Sequence, residues 1–265
     1  MAFSFLGLKN RMLELHHVSK TYTHKHHHVE AIKNLNVSVR EHEFIALVGP
    51  SGCGKTTLLK MIAGLIPVSG GEIILDGRKI MTPGRDRGLV FQQFTLFPWL
   101  SVRENISFGL EVHKVDKKKK NEIVSHYLGV TGLKDFAEFY PKNLSGGMQQ
   151  RVAIARTLAN NPKILLMDEP FGSLDSQTRS HLQEFLTRLW EAEHTTILFV
   201  THDVGEALFL ADTVYVLSGQ PMGIKSVFNV PFPRPRVHAL KHTKDFFDLE
   251  NTIARELEGS SFAVD

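Results

Sequence analysis

The stretch Gly49-Pro50-Ser51-Gly52-Cys53-Gly54-Lys55-Thr56 decides the fold, because it matches the phosphate-loop pattern G-x-x-x-x-G-K-[ST]. It follows the apolar run Phe44–Val48 and precedes a predicted helix over Lys55–Leu65, which is the context that the pattern requires. The glycines let backbone N–H groups turn towards phosphate oxygens, and the N-terminus of the helix adds positive potential. The alternative is a glycine-rich turn that binds nothing, and the flanking strand and helix argue against it. The sequence therefore predicts a site for the phosphates of a nucleotide.

Two side chains of this loop have specific chemical roles in the pattern. Lys55 would reach the β- and γ-phosphates, and the Thr56 hydroxyl would bind Mg²⁺. We expect Cys53, the single cysteine of the chain, to act through its backbone and its size rather than through its thiol. The predicted nucleotide-binding residues of the loop are Gly49, Pro50, Ser51, Gly52, Cys53, Gly54, Lys55, Thr56 and Thr57.

The composition is that of a soluble globular protein. Of the 265 residues, 42% are hydrophobic and 22% are charged, and no apolar stretch approaches the ~18 residues of a membrane span. A net charge of +3 is too small to indicate a nucleic-acid partner. The single cysteine excludes a disulfide framework and fits a reducing compartment. In Met1–Arg11 the basic residues follow the apolar ones, which is the reverse of a signal peptide, so we expect a cytosolic protein.

Strand-like runs alternate with helical patterns along the chain. The runs are apolar throughout, as in a mostly parallel sheet that is covered on both faces. They are Phe44–Val48, Leu89–Phe91, Ile164–Asp168, Thr196–Val200 and Thr213–Leu217. Between Ile164–Asp168 and Thr196–Val200 lies Thr178–Trp190, whose apolar residues form one helical stripe. We therefore predict an α/β fold with a doubly wound core.

Three stretches depart from that alternation. Leu13–Val39 predicts an antiparallel β lobe of short strands around a polar hairpin. Helical patterns replace strands at approximately 93–162, which predicts an inserted α-helical lobe that is too long to be a simple connection. A proline-rich tail then leads to a helix at Lys244–Leu257. The predicted organisation is a domain over 12–220 and a C-terminal extension over 221–265.

A pair of carboxylates supplies the second part of the predicted metal site. Four apolar residues lead to Asp168 and Glu169, at the carboxyl end of a strand, where doubly wound sheets bind their ligands. Asp168 could hold Mg²⁺, and Glu169 could polarise an attacking water as a general base. The alternative is that Asp168 and Glu169 are only the acidic end of a strand before a turn. The predicted phosphate loop disfavours this alternative.

The run Leu144-Ser145-Gly146-Gly147-Met148-Gln149-Gln150-Arg151 resembles the signature of ATP-binding-cassette proteins. Ser145 and two glycines precede a predicted helix over Met148–Leu158, so a second helix N-terminus faces an anion. The resemblance implies a P-loop NTPase cassette in which two subunits stack head to tail. Each ATP would then lie between the phosphate loop of one subunit and the signature of the other. The residues expected to bind ATP in trans are Ser145, Gly146, Gly147 and Asp175.

The same resemblance implies roles for further residues. Gln92 resembles the glutamine that contacts Mg²⁺ and the attacking water, with Gln93 as the alternative register. His202 resembles the histidine that contacts the γ-phosphate, although a histidine at a strand end is usually structural. Tyr22 resembles the aromatic residue that stacks on adenine. The expected catalytic residues are Glu169, His202 and Gln92, and the expected Mg²⁺ ligands are Thr56, Gln92 and Asp168.

The resemblance also implies a transporter subunit. No membrane span is fused to the cassette, so the pore would belong to a separate multi-span membrane subunit that docks near Phe94–Leu100. This arrangement is similar to bacterial importers, which also use a substrate-binding protein. The run Val230–Arg236 resembles a stretch found in the nitrate, sulfonate and taurine branch. We therefore expect ATP hydrolysis that energises import, by a peripheral subunit on the cytoplasmic face of the inner membrane.

Two questions stay open at this point. The subunit could pair with itself or with a second cassette, and the alternative function is a soluble ATPase outside transport that uses the same dimer switch. The run His24–His28 has a metal-binding composition, but we expect an exposed hairpin tip because adjacent strand residues point to opposite faces. We expect Lys117–Lys120 to form a solvated helix face.

Overall fold

The computed structural model describes residues 11–24 and 27–258. Its strands are β1 Arg11–His24, β2 His27–Arg40, β3 Phe44–Val48, β4 Gly70–Leu75, β5 Arg78–Lys79, β6 Arg87–Val90, β7 Ile164–Asp168, β8 Thr196–Thr201, β9 Thr213–Leu217 and β10 Ile224–Asn229. Its α-helices are α1 Lys55–Ile62, α2 Val102–Val112, α3 Lys117–Val130, α4 Gly146–Leu158, α5 Ser176–Glu193, α6 Val204–Leu210 and α7 Lys244–Glu258. None of the helices in these two ranges is both long enough and apolar enough to cross a membrane.

Within the described ranges, one sheet has six strands in the order β10-β9-β3-β8-β7-β6. The five strands from β9 to β6 are parallel, and β10 is antiparallel to β9. Every residue of β3, β7 and β8 is buried, because the sheet is covered on both faces. The predicted α/β class is correct. Since β3, β8 and β7 are neighbours, the loops at their carboxyl ends lie side by side.

The antiparallel lobe is a sheet of four described strands in the order β2-β1-β4-β5. The prediction of short strands over Leu13–Val39 was wrong, because β1 and β2 are each 14 residues long. Their pairing contains several register shifts, and His17 and Asn34 have positive φ angles of 50° and 48°. Bulges of this kind add residues to a strand and interrupt the alternation by which strands are recognised.

The tip of that hairpin is only partly described. Lys25 and His26 lie outside the described residues, as does the side chain of His24, so the prediction for His24–His28 stays a prediction there. The described members His27 and His28 are exposed. Met1–Asn10 and residues 259–265 also lie outside the described ranges.

The helices α2, α3 and α4 lie between β6 and β7, inside the range predicted for the inserted lobe. Ser101 begins α2 with a capping box, in which its side chain accepts from the Glu104 N–H and the Glu104 side chain accepts from the Ser101 N–H. Asn105 is fully buried and its side-chain oxygen accepts from the Phe97 N–H at 2.9 Å. Its amide group donates to the Phe97 and Leu100 oxygens at 3.2 and 2.9 Å, so one side chain fixes the loop 97–100.

The extension predicted at 221–265 packs onto the main sheet. Its strand β10 pairs with β9, and Phe246 and Ile253 of α7 are buried in the core. Its helix covers Lys244–Glu258, close to the predicted Lys244–Leu257. The domain boundary at residue 220 stays a prediction. It falls between β9 and β10, which are hydrogen-bonded to each other.

Two arginines of the Val230–Arg236 run hold the extension in place. Arg234 donates to Asp212 Oδ1 at 2.9 Å, and its guanidinium lies 4.0 Å from the centre of the Trp190 ring. Arg236 is 5% exposed and donates to the backbone oxygens of Leu208, Phe209, Ala211 and Phe232. Burial lowers the pKa of Arg236 to about 10, which leaves it charged at neutral pH. Its planar guanidinium thus closes the C-terminal end of α6.

We predict that Arg236→Ala lowers the free energy of unfolding by about 3 kcal/mol, because it leaves several buried carbonyl groups without donors. Denaturant unfolding of the full chain measures this. Arg255→Ala on the exposed surface of α7 is the matched control, and we expect it to change stability by less than about 0.5 kcal/mol. Equal unfolding midpoints for the two variants would contradict the role of Arg236.

Candidate functional site

The phosphate loop connects β3 to α1, as predicted. Gly52 and Gly54 have φ angles of 77° and 118°, and the second value is one that only glycine adopts readily. No side chain caps the N-terminus of α1, so the first-turn N–H groups have no side-chain acceptor. The Lys55 side chain is 5% exposed and donates to the Gly49 and Pro50 oxygens at 2.8 and 2.9 Å. The loop therefore combines an uncapped helix N-terminus with one buried ammonium, as phosphate binding requires.

A hydroxyl and a carboxylate meet beside this loop. Thr56 Oγ1 donates to Asp168 Oδ1 at 3.1 Å, which joins the start of α1 to the end of β7. Asp168 is 8% exposed, and burial raises the pKa of its carboxyl above the usual value. Buried carboxylates are normally paired with a cation or a hydrogen-bond donor. Oxygen ligands of these two kinds are the ones that Mg²⁺ prefers, so the residues present fit this ion.

Glu169 lies between two basic side chains. Its Oε2 is 2.9 Å from His202 Nδ1, and its Oε1 is 3.8 Å from Lys55 Nζ. Its backbone has a positive φ of 43°, and its N–H donates to the Val200 oxygen at 2.9 Å. A left-handed backbone at a residue other than glycine costs on the order of 1 kcal/mol and is found mostly at functional sites. The conformation turns Glu169 away from the direction of β7 and towards His202.

Gln92 and Tyr22 lie at two edges of this site. Gln92 Nε2 is 3.6 Å from the position that a Cβ atom on Gly172 would take, and Glu169 Oε2 is 3.9 Å from the same position. This favours Gln92 over Gln93 as the residue beside the carboxylates. Tyr22 is 44% exposed, and its hydroxyl is 3.4 Å from Thr57 Oγ1. An exposed ring next to the phosphate loop is a suitable surface for stacking a base.

The residues predicted to act in trans form a second group. Ser145 begins α4, and its side chain accepts from the Met148 N–H at 3.3 Å. The helix therefore starts at Gly146, two residues before the predicted Met148. Asp175 begins α5 by accepting from the Thr178 N–H at 2.9 Å, and this bond lowers the pKa of Asp175.

The two helix starts pack closely together. A Cβ atom on Gly147 would lie 2.7 Å from the Thr178 side chain, and one on Gly146 would lie 3.1 Å from Leu174. Among the residues that the structure describes, no hydrogen bond or ion pair joins Ser145, Gly146 or Gly147 to the phosphate loop. The chain therefore joins Asp168 and Glu169 to its own phosphate loop, with His202 bonded to Glu169 and Gln92 nearby, whereas no bond within the described residues joins the signature group to that loop.

Sequence reasoning missed Gln220, whose side-chain amide donates to the Gly52 oxygen at 2.9 Å. The contact joins residues 168 positions apart and fixes the outer part of the phosphate loop. A glutamine in a loop after a strand carries no signal that could have predicted this contact.

The sequence resembles those of a known protein family. The sequence profile described as ABC transporter matches residues 32–172, which include the phosphate loop, the signature and both carboxylates. The chain belongs to the ABC transporter family. The nitrate import ATP-binding protein NrtD of Synechocystis sp. is 46% identical over 253 residues, which cover 93% of this chain and 95% of that protein. The aliphatic sulfonates import ATP-binding protein SsuB of Bacillus cereus is 42% identical over 246 residues, which cover 93% and 96%.

Solved structures of ABC transporter cassettes have the same fold. An ATP-binding cassette described as a dimer in a post-hydrolysis state, bound to ADP and Pi, is 35% identical and has a TM-score of 0.73. The match covers 84% of this chain and 100% of that one. These findings confirm the predicted cassette fold. They also confirm the predicted resemblance to ABC transporter subunits of the import branch.

We predict that Gly54→Ala weakens ATP binding by about tenfold or more, because an alanine at φ 118° would distort the start of α1. An added Cβ would also lie 3.2 Å from the Ala31 oxygen. Gly52→Ala is the matched control, since its φ of 77° is nearer the ordinary left-handed region and nothing lies within 4 Å of its Cβ position. Titration with a fluorescent ATP analogue measures both, and equal losses would contradict the special role of Gly54.

Proposed function

We propose that this chain is the ATP-binding and ATP-hydrolysing subunit that energises an importer of a small solute. The observation that carries the proposal is the position of Glu169, between Lys55 Nζ at 3.8 Å and His202 Nδ1 at 2.9 Å, beside the bonded pair Thr56 and Asp168. Such an arrangement can bind a γ-phosphate and activate a water next to it. Phosphoryl transfer depends mainly on positioning and charge stabilisation of this kind.

Each side chain has a distinct task in this proposal. Lys55 and the loop N–H groups bind the β- and γ-phosphates, while Tyr22 stacks on the adenine. Glu169 accepts the proton of the attacking water, and His202 holds the Glu169 carboxylate and contacts the γ-phosphate.

Thr56, Asp168 and Gln92 would hold Mg²⁺, because they offer a hydroxyl, a carboxylate and an amide oxygen. When bound, this ion neutralises negative charge on the phosphates. The remaining chemistry then depends on the orientation of the side chains described above.

The proposal includes a second cassette subunit. Ser145, Gly146, Gly147 and Asp175 lie at two helix N-termini that have no bond to the phosphate loop of their own chain within the described residues. Helix N-termini favour anions, so this group would bind the ATP held by a partner. The solved cassette that resembles this chain is described as a dimer, which supports the pairing.

The membrane subunit would dock on an aromatic surface at Phe94–Leu100. Trp99 is 70% exposed, and its ring centre lies 5.7 Å from that of Phe97, which in turn lies 4.4 Å from that of Phe108. Exposed aromatic residues on a loop that Asn105 fixes can anchor a partner at low entropic cost. The subunit would then act at the cytoplasmic face of the membrane, linked through its permease to a substrate-binding protein.

The cargo would be a small solute of the nitrate, sulfonate or taurine kind. Two relatives that align along more than nine-tenths of this chain are named for the import of nitrate and of aliphatic sulfonates. The run Val230–Arg236 supports the same branch. Cargo selection itself would lie in the permease and the substrate-binding protein.

We predict that Glu169→Gln lowers the rate of ATP hydrolysis at least ~100-fold, because an amide cannot accept the proton of the attacking water. ATP affinity should stay within about threefold, and ATP-bound pairs should accumulate. Phosphate release, ATP titration and size-exclusion chromatography measure these outcomes. Glu122→Gln on the exposed surface of α3 is the control. Full hydrolysis by Glu169→Gln would exclude Glu169 as the base.

We predict that Ser145→Arg and Lys55→Ala each abolish hydrolysis as homodimers, whereas a mixed dimer of the two variants regains one working site. The reason is that one subunit then supplies an intact phosphate loop and the other an intact signature. Two different affinity tags allow purification of the mixed dimer, whose phosphate release is then measured. A mixed dimer as inactive as its parents would show that both parts must be in the same chain.

A further inference from the structure

A chain of buried hydrogen bonds connects the C-terminal extension to the turn that carries His202. Lys241 Nζ donates to Gln183 Oε1 at 2.7 Å. The Gln183 amide donates to Glu206 Oε1 at 3.0 Å, and Thr201 Oγ1 donates to Glu206 Oε2 at 2.6 Å. Thr201 is the residue immediately before His202. None of these contacts takes part in the phosphate chemistry proposed above.

The same network holds both sides of the His202 turn. Thr201 Oγ1 also accepts from the Asp203 N–H at 3.1 Å, and Asp203 Oδ1 accepts from the Glu206 N–H at 2.8 Å. His202 is therefore held between two residues whose positions depend on Glu206. Its own side chain extends from the turn to Glu169, 2.9 Å away.

The polar side chains of this network are buried, so their hydrogen bonds are costly to break. Gln183, Thr201 and Glu206 are 2%, 2% and 4% exposed, and burial raises the pKa of Glu206. Burial lowers the pKa of Lys241, whose Nζ also lies 4.9 Å from the centre of the Phe209 ring. A buried carboxylate needs donors: Gln183 and Thr201 supply them to Glu206, and Lys241 orients the Gln183 amide by donating to its oxygen.

On its inner side, towards Glu206 and α7, the turn is closely packed, although the His202 side chain itself is exposed. A Cβ atom on Gly205 would lie 2.5 Å from Glu250 Oε1, so α7 packs directly on the start of α6. The cavity lined by Glu169, His202 and Glu206 has a volume of about 10 Å³, which is no more than one small water site. A change among the closely packed side chains of this network is therefore expected to shift the His202 turn.

We propose that Lys241 is a positioning residue for His202, through which the C-terminal extension sets the rate of ATP hydrolysis. The mechanism is indirect: Lys241 orients Gln183, Gln183 fixes Glu206, and Glu206 fixes the turn between Thr201 and Asp203. This inference rests on the proposed function, because it requires His202 to act on bound ATP.

The first test compares Lys241→Met, which keeps length and removes the charge, with Lys244→Met, an exposed lysine three positions further along. In the full chain we expect Lys241→Met to lower kcat about 5- to 20-fold with KM for ATP within about twofold. The NMR signals of the His202 imidazole should shift as well. Lys244→Met should change none of these. A lower melting temperature with unchanged kcat and unchanged His202 signals would overturn the inference, because it would show a structural role only.

The second test is a double-mutant cycle with His202→Ala. If Lys241 acts through His202, then Lys241→Met causes no further loss of kcat in the His202→Ala background. Independent losses that multiply would overturn the inference while leaving the proposed function intact. Full activity of His202→Ala alone would instead refute the role proposed for His202, and the inference would fall with it. The two failures are thus distinguishable.

Discussion

The register of three buried parallel strands determines where the phosphate loop, Asp168, Glu169 and His202 lie. Leu47 of β3 and Asp168 of β7 both pair with Val200 of β8, so the three strands end at one level of the sheet. Beyond that level the chain continues into the phosphate loop, Glu169 and His202. Since the strands are buried on both faces, a slip of one residue would move each side chain to the opposite face, where the packing is different. The packing of these strands sets the distances of about 3–4 Å from Glu169 to Lys55 and to His202.

The parts of the site that could be predicted are those written in short, local patterns. The phosphate loop combines glycines with a strand and a helix, and the apolar runs Phe44–Val48 and Ile164–Asp168 match β3 and β7 residue for residue. The helix predicted at Lys244–Leu257 also agrees closely with α7. Contacts between distant segments left no such pattern: Gln220 to Gly52, and Lys241 to Gln183, each join side chains whose partners only the folded chain brings near. The long hairpin β1–β2 was missed because bulges interrupt its alternation.

The C-terminal extension has two different connections to the rest of the cassette. Arg234 and Arg236 bind to the end of α6 and to Asp212, where they donate to buried carbonyl groups at the end of the helix. Lys241 connects to Glu206 at the start of α6 through Gln183 of α5, and Glu250 lies beside Gly205 at the same helix start. The helix α6, only seven residues long, is thus held at both ends by one segment. The run Val230–Arg236, which resembles a stretch of one transporter branch, therefore also stabilises the fold.

The separation of the signature group from the phosphate loop also has a kinetic consequence. A subunit with half of each site would turn over ATP only while it meets a second subunit, so the rate in dilute solution would depend on an encounter. Membrane subunits that each hold one cassette would replace this encounter by an effective concentration in the range of about millimolar. Under the proposed pairing, the permease would do more than respond to ATP hydrolysis by the cassettes. By keeping two cassettes together it would also limit ATP consumption to assembled transporters.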